Sequence, residues 1–147
     1  MKEENYPTGA FVAFVLLSQN EWDIKKLIND CKADWNIEIP YDGNEEALVA
    51  VMGDVTLCSS HLCLHLVPNQ EAEHYAGANY MWKDAVEVTK SHKAHLMVSV
   101  LGKDANLLER GKLFTKVVSS CLKQERAIAV YTDGTVFYPS FIVMLHL

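Results

Sequence analysis

The sequence predicts an α+β fold: a ferredoxin-like split β-α-β antiparallel sheet with an added helix and a C-terminal hairpin. Three observations carry this expectation. Two continuous apolar runs, Ala10–Leu17 and Ala94–Leu101, have the length and the β-branched content of buried strands. Two dipeptides, Gly53-Asp54 and Asp133-Gly134, stand between strand-like segments at the spacing of two-residue hairpin turns. Three further segments carry apolar residues at helical spacing, and the resulting order, β-α-β-β-α-β and then α-β-β, is the split βαβ with elements appended.

Each element has its own local reason. Residues 1–9 read as a frayed lead-in to the strand Ala10–Leu17, whose two alternating sets are both apolar and therefore need cover on both faces. Asn20 is placed to cap the first helix, with Glu21 and Asp23 in its opening turn. Ile24, Leu27, Ile28, Cys31 and Trp35 form its apolar stripe, and the helix should fail by Asn36. The hairpin Ala47–Met52 and Val55–Val67 follows, its second arm alternating Leu62, Leu64 and Leu66 against His61, Cys63 and His65.

Pro68 ends that arm and Asn69 caps a single long helix from Glu71 towards Ser91, with a stripe of Tyr75, Ala78, Asn79, Trp82, Ala85, Val86 and Thr89. Lys90, His92 and Lys93 gather at its end, where cations complement the helix dipole. After the strand Ala94–Leu101, Asn106 with Glu109 resembles a capping box opening a third helix with Leu107, Gly111, Phe114, Val118 and Cys121 inside. Ala127–Thr132 and Thr135–Tyr138 form the closing hairpin, and FIVMLHL ends the chain.

In a ferredoxin-like sheet the first and third strands are central, and right-handed crossovers set the first two helices on one face. Leu62, Leu64 and Leu66 would look at those helices; His61, Cys63 and His65 would look outward. The outer face still needs a cover, because Ala10–Leu17 and Leu96–Leu101 carry apolar side chains there as well. Either the third helix crosses it or a second copy of the chain packs on it. The expectation is a homodimer, or another protein partner, on that face.

Composition narrows the class. The 147 residues make one domain, residues 1–147, long enough to bury a core without disulfides. Half the residues are hydrophobic and 22% are charged, which excludes a disordered chain. A net charge of −6 argues against duplex nucleic acid and anionic membrane surfaces as partners. The opening MKEENYPTG places acids where a secretory signal needs base, and no apolar run reaches bilayer-spanning length. Cys31, Cys58, Cys63 and Cys121 lie inside apolar segments with no CxxC pair, the usage of reduced thiols, so the expected location is the cytoplasm.

The residues that could carry chemistry are few. His61, Cys63 and His65 share one strand face with Cβ atoms about 7 Å apart, and His95 could add a fourth imidazole or thiolate donor of the kind zinc prefers. Donors strung along one strand converge poorly on a tetrahedral ion, and the same row serves as a polar stripe at an interface. Asn79 stands alone among apolar neighbours, so its amide must hydrogen-bond a nearby backbone or face a polar ligand. Tyr75, Tyr80 and Trp82 lie at different angles and make no base-stacking platform. Phosphate-loop, dinucleotide, zincin and hydrolase-elbow motifs are all missing, so no cofactor is expected.

The stretches NYMWKDAVEVTKSHKAHLMVSVLG and LLERGKLFTKVVSSCLKQERAIAVYTDGTVFYP, with the opening GAFVAFVLLSQNEWDIKKLINDCKADW, resemble a bacterial family catalogued as domain of unknown function 4261. The resemblance spans roughly residues 9–139 and is one of overall pattern. Members of that family run on beyond the length of this chain and place a Pro-rich turn before the long helix, where this chain has only Val67-Pro68-Asn69. The resemblance implies a bacterial cytoplasmic protein and carries no catalytic residue. The expected function is a non-catalytic binding or interaction domain that self-associates or binds a protein partner through the outer sheet face. The alternative is a zinc-dependent enzyme or small-ligand binder using the His61/Cys63/His65 face, with Asn79 or His95 as further contacts.

Overall fold

The computed structural model describes residues 11–19, 21–39, 47–52, 55–62, 71–79, 82–102, 107–132 and 135–137. In chain order they form β1 (Phe11–Leu17), α1 (Ile24–Trp35), β2 (Ala47–Met52), β3 (Val55–Leu62), α2 (Glu71–Ala76), α3 (Ala85–Lys90), β4 (Ala94–Gly102), α4 (Leu107–Cys121), β5 (Ala127–Thr132) and β6 (Thr135–Phe137). The class is α+β. Gly53-Asp54, Asp133-Gly134, Cys63, His65, Pro68, Asn69 and Asn106 lie outside the described residues.

All six strands join one sheet in the order β2-β3-β4-β1-β5-β6, every neighbouring pair antiparallel. This corrects the ferredoxin-like order, which would put β1 beside β3. Here β4 stands between them. β1 (FVAFVLL) and β4 (AHLMVSVLG) pair at the centre of the sheet, where Ala13, Val15, Leu17, Leu96, Val98 and Val100 are all buried. The more polar β3 (VTLCSSHL) is displaced outward. Register sets Val15 opposite Leu96 and Leu16 opposite His95.

The layers also differ from expectation. β4 and β5 are both antiparallel to β1, hence parallel to each other, and α4 is the crossover between them. α4 and α1 cover one face, enclosing Ala13, Val15, Leu17, Leu27, Cys31, Leu96, Val98, Val117, Val118 and Cys121. α2 and α3 cover the other face around Leu16, Ala129, Tyr131 and Val136, contributing Ala72, Ala76 and Ala85. The helical segment in the middle of the chain, and not the third helix, crosses the second face.

Local chemistry explains the helix ends. α1 starts later than Asn20 predicts: Asp23 is its cap, accepting from the Lys26 amide at 3.0 Å on Oδ1. It ends where predicted, on Asn36 in the left-handed region at φ 57°, and Lys32 then reaches Glu38 at 2.7 Å. Four contacts bind its two ends to the C-terminal half of α4 and the turn after it. Trp35 Nε1 donates to Ser120 Oγ at 3.0 Å, Lys123 pairs with Asp34 at 2.5 Å, and Gln124 makes two bonds to the Asp23 backbone.

The single long helix predicted from Glu71 is two short helices. After Ala76 the backbone tightens, with Ala78 and Asn79 donating to Tyr75 and Ala76 three residues back, both at 3.1 Å. The chain re-enters helix at Ala85, whose amide donates to Trp82. Gly77 and Asn79 are weak helix formers, so the interruption costs little locally. α4 buries Val118 and Cys121 as expected and half-buries Gly111 and Phe114, while Arg110 and Val117 are fully buried too. The apolar count alone does not reveal an inward arginine.

Candidate functional site

β4 and β3 position two of the histidines singled out from the sequence. His61 is the register partner of Leu96, and Leu96 belongs to the core between the sheet and α1/α4. Cys63 and His65 fall outside the described residues, and the three-residue row is not traced as a unit. Among the described residues, no group of three or more His, Cys, Asp or Glu side chains is arranged to hold a metal ion.

His95 lies on the opposite side of β4 from Leu96 and is 2% exposed. Its ring meets Phe14 edge-on at 5.2 Å and 79°. His92 is buried just after α3, with Nδ1 in hydrogen-bond contact with the Thr89 carbonyl. It closes the C-terminus of that helix, as the basic cluster there suggests. Asn79 reaches the sheet: its Nδ2 donates to the Val136 carbonyl at 2.7 Å. Cys31 and Cys121 are buried, and burial pushes the Cys31 thiol above its ordinary range although a bond with Ser120 pulls the other way. A thiol held neutral is a poor nucleophile.

A different group of side chains comes together on the α2/α3 side of the sheet. Phe14 of β1 stacks on its register partner Tyr131 of β5 at 6.0 Å and 18°. Tyr75 of α2 stacks on the other flank of Tyr131 at 5.8 Å and 20°, and His74 meets Tyr75 edge-on at 5.1 Å. His95, Phe14, Tyr131, Tyr75 and His74 thus form one continuous aromatic row from β4 to α2, in the offset and edge geometries that aromatic quadrupoles favour.

The row is buried in the middle and opens at its rim. Tyr75 is 37% exposed, and Val12, two residues before Phe14 on a central strand, is 40% exposed. Phe14 and its register partner Met97 are half-buried. The Val12 carbonyl accepts from Thr132 Oγ1 at 2.8 Å, which fixes the backbone there. Chemically the described residues make this an apolar and aromatic surface with an imidazole at each end, His95 and His74. Sequence reasoning overlooked Val12, Phe14 and Tyr131. For Val12 and Phe14 the signal was the alternation in FVAFVLL, hidden because both faces of that strand are apolar; Tyr131 stands in AIAVYT, where nothing in the spacing sets it apart.

No family model, curated protein or solved structure matches the chain. Among the described residues, no helix is long and apolar enough to cross a membrane.

Proposed function

We propose that this is a non-catalytic interaction domain that self-associates through the sheet face carrying Val12 and the rim of the aromatic row. One observation carries the reading: a central-strand valine is 40% exposed beside half-buried Phe14 and Met97. Apolar side chains on a central strand are ordinarily covered, and an uncovered cluster of them marks a contact surface. Aromatic residues held rigid by stacking lose little entropy on contact and suit the centre of an interface. The outer face remains the interacting face, but Val12, Phe14, Met97 and Tyr75 take the place of His61, Cys63 and His65. A cytoplasmic, bacterial protein related to family 4261 belongs to the same reading, supported by the residue pattern and the reduced cysteines.

Light scattering across a concentration series tests it. The expected result is a particle of two protomers that Val12→Asp reduces to one, with far-UV and near-UV circular dichroism unchanged. A single-protomer mass at every concentration, identical in wild type and Val12→Asp, overturns it.

A further inference from the structure

We draw no further inference here: the strongest candidate, the buried polar cluster of Thr89, His92 and His95 where α3 leads into β4, carries nothing beyond what is already described, because His92 closes α3 on the Thr89 carbonyl and His95 packs edge-on against Phe14 within the aromatic row.

Discussion

Gln124 holds both backbone groups of Asp23, accepting from its amide on Oε1 at 2.7 Å and donating from Nε2 to its carbonyl at 2.9 Å. One side chain thus acts as a strand partner for a residue 101 positions away. Asp23 is at the same time the cap of α1, so the start of the first helix is fixed by the turn that follows the last. Gln124→Leu fits the buried site but takes away the partner of the Asp23 amide, while the Asp23 carbonyl keeps the Leu27 amide at 3.1 Å; one such loss costs about 1–3 kcal/mol. Urea denaturation is expected to show a destabilisation of about 1–3 kcal/mol. Gln124→Glu is expected to lose stability at neutral pH, where a carboxylate faces the Asp23 carbonyl, and to regain part of it in acid.

Asn36 stands at φ 57°, where a β-carbon meets the following carbonyl and branched side chains are costly. Asn36→Val is expected to destabilise by about 1–2 kcal/mol. Asn36→Gly should be neutral or mildly stabilising. Equal effects from the two substitutions would show that the left-handed turn is not what closes α1.

Gly111 sits within α4, and a β-carbon there would lie 3.5 Å from Cζ of Phe11, an ordinary van der Waals distance. Alanine is therefore tolerated sterically and favoured by its helix propensity. Gly111→Ala is expected to gain about 0.5–1 kcal/mol. Thermal denaturation should show a rise of about 2–4 °C. A fall in melting temperature would mean that the Phe11–Phe114 stack, with centroids 5.4 Å apart, cannot absorb the methyl group.

The Cys31 thiol is held above its ordinary range chiefly by burial, with Ser120 opposing the shift. The sign follows from proton linkage. The unfolded chain releases this proton at lower pH than the folded one, so the contribution to stability is complete below the unfolded value of about 8.5 and is lost as pH rises above it. Denaturation midpoints should fall through that alkaline range, and Cys31→Ala should flatten the decline. Alkylation of native protein at neutral pH should spare Cys31 and Cys121, both buried, until denaturant is added. Rapid modification without denaturant would contradict their burial.

Much of the local structure was readable in advance for a plain reason. A strand or helix is written in the spacing of its apolar residues, and the ends in short-range capping chemistry. Ala47–Met52 and Ala127–Thr132 have the predicted bounds, Phe11–Leu17 falls within the predicted Ala10–Leu17, and α1 ends on Asn36. The candidate surface was much less readable. Tyr75, Tyr131, Phe14 and His95 come from four elements, and no spacing within the chain records that their rings will meet.

What the sequence determined by itself was the inventory: strands apolar on both faces, amphipathic helices, and the strand segments that pair as Ala47–Met52 with Val55–Leu62 and Ala127–Thr132 with Thr135–Phe137. What only the tertiary structure decided was adjacency. One order of elements is compatible with β3 beside β1 and with β3 beside β4, because periodicity specifies that a face is buried and not which partner buries it. The same limit explains the helix broken at Gly77. Its stripe asked for a continuous helix, and a bond from Asn79 to Val136, 57 residues away, divided it.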